Sequence, residues 1–570
     1  MFRSIFFQSL FLLTVGLSVG HVHAGDTIVV PPNMFQVDHD LQLIVVNLPV
    51  DEVNAQWPNL KAAIHTDEIY ALSADVQEIT VGTAIAVANA AGEIYQLYFT
   101  ALPLIAITTN QVIVDEPRVP GNFMISDTSG TVISAGLGIE FRGSFSQTYP
   151  KKSYRIEFWN DSTGMENVDL SLLGMRSDDD WNLQAMYNEP LRLRSVVCNK
   201  LWRMIHAPYY QTAEPNAVTG VAMEYAELFV NGSYQGIYAL SERIDRKQLK
   251  LKKYNGSIRG QLYQGVSWGA PTFSFAPPYN DSLRSWSGFE YKYPTEVTEW
   301  FFLHEFVDFV INAPEGEFLA EYPSRFELGN AVDYFIFLNL LRATDNTGKN
   351  IYVALFDSGT PYFYVPHDLD GTFGVIWDGS QENSTNDLLM NGFYARLMED
   401  CEPDGFRKRL QARWNALRTD ILTSGQIEGM FDHAHALLTS NGAYEREALA
   451  WSEYSHDPGQ LDYLSTWLTA RISYLDSAFN IYCGPTSIGK QDFIVFSMYP
   501  NPTSDQVEIV LGGARSTADL HVLDATGRTV MKQALHRART VVDLRRLRPG
   551  IYLVQLESGN HTTTMRLVIN

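Results

Sequence analysis

The sequence predicts an α+β protein of several domains, in which a β-rich first half leads into a mainly helical second half and a further β module closes the chain. Three observations carry this reading. Short alternating apolar runs separated by Gly, Asn and Asp turns dominate before about residue 245, helical periodicity dominates after it, and alternation returns beyond residue 484. With 570 residues and 45% hydrophobic content, the chain can bury several cores. Three or four domains of roughly 100–200 residues each are expected.

Taken in order, the chain opens with Met1-Phe2-Arg3, an apolar stretch over 5–19 and Val22-His23-Ala24, the pattern of a signal peptide spanning 1–24. Its apolar core is shorter than the ~20 residues that cross a bilayer, and no later segment reaches that length, so no transmembrane segment is expected in the mature protein. Residues 25–104 read as a small all-β domain, with strands expected over 41–46, 78–81 and 94–99. Residues 105–245 continue with strands over 105–109, 138–142, 153–159, 227–230 and 236–240 around one helix at 191–205, a mixed sheet with a single prominent helix. Residues 246–484 shift to helical periodicity, over 297–311, 331–342, 404–422, 427–438 and 460–479. One strand pair interrupts them, 351–356 and 362–365, joined by the turn Asp357-Ser358-Gly359-Thr360. From Tyr499-Pro500-Asn501-Pro502 onward, alternation at 507–511, 520–523 and 551–556 marks 485–570 as a separate β domain.

The net charge of -23 and a pI near 5.0 argue against a generic phosphate-binding face, so no nucleic-acid partner is expected. Any anion must be held locally, by a metal or a few cations. Cys198, Cys401 and Cys483 lack CxxC spacing and indicate neither a zinc site nor a disulfide-dense scaffold. They allow one bridge with an odd thiol left over. The expectation is a small core residue at Cys198, with the other two incidental.

The chemistry concentrates between 344 and 371. In Thr344-Asp345-Asn346-Thr347-Gly348-Lys349-Asn350 the Asp and Asn stand at the D-x4-N spacing of kinase catalytic loops, where the Asp accepts a hydroxyl proton and the Asn holds a metal. Past the hairpin comes His367-Asp368-Leu369-Asp370-Gly371. In an extended segment Asp368 and Asp370 face the same way and present two carboxylates to one hard cation. A calcium loop of the EF-hand kind fails, because its twelfth position falls on Gly379 rather than Glu. A solvated Asp-x-Asp-Gly turn stays open as the plain alternative.

Upstream, Ile139-Glu140-Phe141-Arg142-Gly143-Ser144 and Tyr149-Pro150-Lys151-Lys152-Ser153-Tyr154 supply Arg142, Lys151 and Lys152 as cations for a phosphate cluster. Because the lysines precede an alternating strand, one of them faces a cleft and its neighbour solvent. Gly136 and Gly138 begin a G-x-G, but Phe141 replaces the third glycine of G-x-G-x-x-G, so the usual phosphate cover is incomplete. On the 191–205 helix Arg194 and Lys200 are available to acidic groups, and Glu189 reads as a first-turn carboxylate favoured by the helix dipole. The hairpin that starts near Val230 leads through Glu242 to Asp245, where a nucleotide-binding hinge is expected.

Arg142-Gly143-Ser144, residues 149–154, Leu173-Gly174 with Asp180-Trp181-Asn182, residues 231–238 with Glu242, the 345–350 loop and residues 368–374 occur in the order seen in the CotH kinase family, which the chain resembles over 112–482. The resemblance implies an atypical protein-kinase-like two-lobe fold, with a mixed β N-lobe at 105–245 and a mainly α C-lobe at 246–484, flanked by small all-β domains. It implies transfer of phosphate from ATP, with Mg2+ or Mn2+, to Ser or Thr of an exported protein substrate. Asp345 then matches the catalytic Asp, Asn350 and Asp368 the metal positions, and Asp370 the second Asp of the family's W-D-x-D motif, while Lys151 or Lys152 binds phosphate. His367 stands where the family usually has Trp. The segment from 496, with Tyr499-Pro500-Asn501-Pro502, Asp524-Ala525-Thr526-Gly527-Arg528 and Gly550-Ile551-Tyr552-Leu553-Val554, resembles a type IX secretion sorting domain. That implies the secretion machinery as a partner and secretion or the outer cell surface as destination. Two other readings stay open at this point: a non-catalytic surface protein that keeps the fold for adhesion or attachment, and transfer of a different group from the nucleotide.

Overall fold

The computed structural model describes residues 27–480 except 58–60 and 161–163, and residues 496–569 except 500, 502, 512–516, 525–526, 538 and 559–560. The signal-peptide reading, Cys483 and parts of the sorting-domain motifs lie outside the described residues. Helices and several sheets are mixed along the chain, an α+β protein. The chain divides into two interleaved units, Met1–Leu170 with Tyr225–Tyr238 and Ala436–Ser455, and Ser171–Glu224 with Ala239–His435 and His456–Asn570.

In the first unit a seven-stranded sheet runs in the order Thr27–Val29, Lys61–His65, Ile69–Val76, Ile85–Ala88, Ile94–Phe99, Leu43–Val46, Phe35–Asp38. Alternate residues of its strands, such as Ile44 and Val46 or Leu97 and Phe99, enter one core, because strand side chains alternate between faces. The other face gives Leu43, Val45 and Tyr98 to a cluster with Leu104, Phe229 and Tyr234. Two features depart from the expectation for this region. The helix Val50–Gln56 docks Val53 in the core, and residues 78–81 form no strand. There the Asn54 side chain takes both backbone groups of Ile79, accepting from its N–H at 2.9 Å and donating to its carbonyl at 2.8 Å, so nothing is left for a neighbouring strand.

Beyond that sheet, strands Met223–Val230, Leu104–Thr108, Val119–Ser126, Val132–Arg142 and Ser153–Trp159 lie side by side in that order. The helix Ala443–Ala450, absent from the sequence reading, brings two charges into this unit. Arg446 grips Glu227 through two bonds of 2.7 and 2.5 Å, and Glu227 also accepts from the hydroxyls of Thr100 and Tyr234. Glu447 accepts from Lys151 Nζ at 2.6 Å and from the Ile237 N–H at 2.7 Å. All four charged side chains are fully buried. Gly236, at φ +90°, is required here, since a Cβ would lie 2.0 Å from the Glu447 carboxylate.

The second unit contains a five-stranded sheet in the order Ser285–Trp286, Phe289–Tyr293, Gln261–Gly265, Ile351–Leu355, Tyr362–Pro366. Only its last two strands are foreseen by the sequence pattern. The helix Leu328–Leu341 is buried from Asn330 to its end, so it shows no polar face. Asn330 fixes it to the sheet, its side chain donating to the Tyr364 carbonyl at 3.0 Å and accepting from the Tyr364 N–H at 2.6 Å. Helices Phe301–Asn312, Phe406–Arg418, Ser424–Ser440 and Gly459–Ala478 fall within a few residues of the expected spans, and Glu315–Arg325 is an addition. The expected 191–205 helix begins only at Arg194, after Arg192 has taken a left-handed φ of 60°. At the C-terminus a three-stranded and a four-stranded sheet share one core that includes Met498, Ile509, Val522, Leu556 and Leu567. Strands lie here where the alternation predicts them.

Cys198 is a free, fully buried thiol on the Arg194–Ile205 helix, pushed up to about 12 by burial, which fits its reading as a core residue. Cys401 is disulfide-bonded, so the expectation that it is incidental is corrected. Among the described residues no helix is long and apolar enough to cross a membrane.

Candidate functional site

The Leu328–Leu341 helix aims the chain at the site. Its first turn is capped by the Glu327 carboxylate, which accepts from the N–H groups of Gly329 and Asn330. It stops where Arg342 turns left-handed at φ 50°, with the Ala343 N–H returning to the Leu338 carbonyl at 3.1 Å. A short 3-10 turn, Thr344–Thr347, follows and places Asp345 half-buried. Three contacts hold this loop. Tyr334 OH donates to the Asn346 carbonyl, Asn391 donates to the Thr347 carbonyl, and the Asn350 N–H donates to the Gly265 carbonyl at 2.9 Å. Gly265 suits the last contact because a Cβ there would come 2.3 Å from the Gly348 carbonyl oxygen.

The hairpin Ile351–Leu355 and Tyr362–Pro366 then carries the chain out and back, so that His367 returns beside Asn350, its N–H donating to the Asn350 carbonyl at 3.1 Å. Asn346 joins the two loops: its buried side-chain amide donates to the carbonyls of Asn350 and His367, each at 2.8 Å. The acidic loop is pinned again by the Phe373 N–H, which donates to the Leu341 carbonyl at 2.9 Å. Asp368 is not extended, as expected from sequence, but left-handed at φ 54°, and Asn350 is left-handed at φ 56°. Asn and Asp tolerate this region better than other non-glycine residues, and such backbone collects at functional sites. Asp368 is exposed and Asp370 half-buried.

The Asp368 charge acts on both Asp345 and Asp370 and helps to raise the pKa of each. Burial first pushes Asp345 above the usual carboxylate range; the Lys349 ammonium opposes this and the Asp368 charge adds to it. Lys349 Nζ stands 3.7 Å from Asp345 Oδ2. Asp370 is pushed up to about 7, by burial and then by the Asp368 charge. Two donors favour its anion, the Asn188 amide at 2.7 Å and the Gly371 N–H at 2.8 Å. Asn188 also donates to the Trp377 carbonyl at 2.6 Å, tying the loop beyond the acids to the same point.

A divalent metal fits part of this donor set. The groups are hard oxygens, which suit Mg2+ or Mn2+, and both Asp368 and Asn350 hold a left-handed backbone. The three carboxylates do not each bring an oxygen within 4.8 Å of both others. Magnesium needs only one or two carboxylates beside phosphate oxygens and waters, so Asp368 and Asp370, with Asn350, are the residues that would hold it.

The raised pKa of Asp370 gives a pH dependence of stability. An acid that holds its proton more tightly folded than unfolded contributes stability that is fully present below about pH 4 and lost as pH rises through about 7. The metal-free protein is therefore expected to lose melting temperature between pH 5 and pH 8, and Asp370→Asn to flatten that slope and raise the value at pH 8. Thermal unfolding across this range checks it, and an unchanged slope in the variant counts against it.

The remaining sequence candidates are placed as follows. Arg142 ends the Val132–Arg142 strand, paired in register with Ser153. Lys151 is buried against Glu447, and Lys152 Nζ donates to the carbonyls of Gln147 and Tyr149 at 2.6 and 2.5 Å. These three belong to the first unit, whereas Glu242 and the acidic residues belong to the second. Glu242 is buried and accepts from the N–H groups of Arg176 and Ala222 and from the Gln248 amide. Glu189 accepts from the N–H groups of Leu191 and Leu193 and from Arg194, the helix-start role expected of it, while Arg194 Nε donates to the Thr372 carbonyl at 3.0 Å. Sequence reasoning missed the joining role of Asn346, the Asn188 contact and Lys349. Asn346 and Lys349 stand inside the quoted motif, but the D-x4-N template weighs only its two ends.

Fold and site together define an α+β protein with a half-buried acidic site of hard oxygen donors at the end of a buried helix. The chain belongs to the CotH kinase protein family, whose model matches residues 139–475. A secretion system C-terminal sorting domain matches residues 497–570, which indicates secretion or the cell surface and implies an interaction with the secretion machinery. The inner spore coat protein H of Bacillus subtilis (strain 168) is 21% identical over 353 residues, covering 60% of this chain and 88% of that protein.

Proposed function

We propose that this exported chain is a kinase with the two-lobe arrangement of its class, transferring the terminal phosphoryl group of ATP to a Ser or Thr hydroxyl of an exported protein. The observation that supports this best is the Asn346 amide, which ties the Asp345 loop to the Asp368 loop and so keeps a base beside metal ligands. Asp345, with its raised pKa, accepts the hydroxyl proton. The acceptor oxygen bonds to phosphorus as the bond from phosphorus to the leaving ADP oxygen breaks. Asn350, Asp368 and Asp370 would hold Mg2+ or Mn2+, which supplies charge neutralisation for the phosphates. Arg142, Lys151 and Lys152 serve the nucleotide side, with Lys151 held by Glu447 as kinases hold a phosphate-binding lysine in a Lys–Glu ion pair. Glu242 acts there as an internal brace of the hinge.

The test uses ATP labelled separately on the terminal phosphate and on the adenine, incubated with the protein and Mg2+ or Mn2+. Phosphate label on protein is the expected result. Adenine label on protein assigns transfer of the nucleotide instead, and no transfer together with no metal-dependent nucleotide binding assigns a non-catalytic surface role.

A further inference from the structure

We infer that the C-terminal sorting domain docks on the acidic site of its own chain through Arg539 and Arg566 and screens that site from cations and nucleotide. The docking stands apart from the phosphoryl-transfer reading; only its effect on nucleotide rests on that reading. Charge is the first observation that carries it. Residues 497–570 hold nine Lys and Arg against six Asp and Glu, whereas the whole chain holds 42 against 65. A basic module thus ends a strongly acidic chain, and surfaces of opposite sign draw together.

The module and the acidic site both belong to the second unit, and a contact within it shows where they meet. Arg539 opens the strand Arg539–Asp543, and its guanidinium lies 4.6 Å from the centroid of the Phe275 ring, within cation–π range. Phe275 follows the segment that backs the Asp345 loop. The Ala270–Thr272 turn brings Thr272 so close to Gly348 that a Cβ on that glycine would lie 2.7 Å from Thr272 Cγ2. Phe273 packs on Phe393, two residues beyond the Asn391 that holds the Thr347 carbonyl.

The second arginine acts on Asp345 itself. Burial raises the Asp345 pKa first; Lys349 lowers it, the Asp368 charge raises it, and the Arg566 guanidinium lowers it again. Such an influence fades over about 8–10 Å at physiological salt, so Arg566 acts from close by. Its strand, His561–Ile569, is fixed by Asn501, whose amide donates to the Arg566 carbonyl at 2.7 Å and whose side-chain oxygen accepts from the Val568 N–H at 2.8 Å. The outward apolar residues of the module, Val541, Ile551 and Leu553, stay exposed. The docking is therefore held by charge rather than by apolar burial, and a guanidinium acting on the carboxylates competes with a divalent cation for the same field.

Two measurements on the full-length protein test this. In Phe275→p-benzoylphenylalanine, illumination is expected to join residue 275 to a peptide containing residue 539 of the same chain. Mn2+ affinity, read by electron paramagnetic resonance at low ionic strength, is expected to rise roughly three- to tenfold in Arg539→Ala/Arg566→Ala with the melting temperature nearly unchanged, and the gain to fade in about 0.5 M salt. A crosslink that misses residues 497–570, one that joins two chains, or equal Mn2+ affinity in variant and wild type overturns the inference and leaves the kinase reading intact. The expected crosslink and gain in Mn2+ affinity, with no phosphate label transferred from ATP by either protein, uphold the docking while the kinase reading falls.

Discussion

Asp345→Asn is expected to lower phosphoryl transfer by roughly a hundred- to ten-thousand-fold, the range for removing a positioned base, while metal-dependent nucleotide binding stays near the wild-type level. Asparagine keeps the size of the side chain and removes only the proton acceptor. The Asp345 backbone carbonyl, which accepts from the Lys349 N–H, is untouched, so the loop is expected to keep its shape. Burial raises the pKa of Asp345, so the substitution also removes a desolvated charge and is not expected to reduce stability. Single-turnover rates, nucleotide affinity and melting temperature on one preparation check this together. A variant that transfers phosphate within severalfold of the wild type excludes Asp345 as the base.

The second large effect concerns the fold. Arg446→Met leaves the Glu227 carboxylate fully buried with only the hydroxyls of Thr100 and Tyr234 against it. Removing one partner of a buried ion pair costs about 3–5 kcal/mol, because the other charge is stranded in a low dielectric. Denaturant unfolding of the variant is expected to show a loss of this size. Adding Glu227→Gln is expected to recover much of it, since the stranded charge is then gone. A single variant that unfolds like the wild type removes the pair from the account of what holds the first unit together.

The linear parts of this protein were legible in its sequence. The order of Asp345, Asn350, hairpin and Asp-x-Asp-Gly is a chain property, and the structure folds it so that His367 returns beside Asn350. The strands at 94–99 and 153–159 lie where alternation puts them. What escaped depends on residues far apart or on short elements. Glu447 meets Lys151 across 296 residues and Arg446 meets Glu227 across 219, and no local pattern marks either pair. The strand Ser285–Trp286 is only two residues long, too short to show a period. Asp368 was read as extended because period two is the default near a strand end, whereas its backbone turns left-handed there.

The segment Ala436–Ser455 has a consequence for the order in which the molecule can be completed. It belongs to the first unit although the chain has already traced most of the second before reaching it. Until Arg446 and Glu447 have been made and delivered, Glu227 and Lys151 lack the ion pairs that allow their burial. These buried pairs close only through contacts of very long sequence separation, which are intrinsically slow to form. The first unit is therefore complete only when the chain through Ser455 is present.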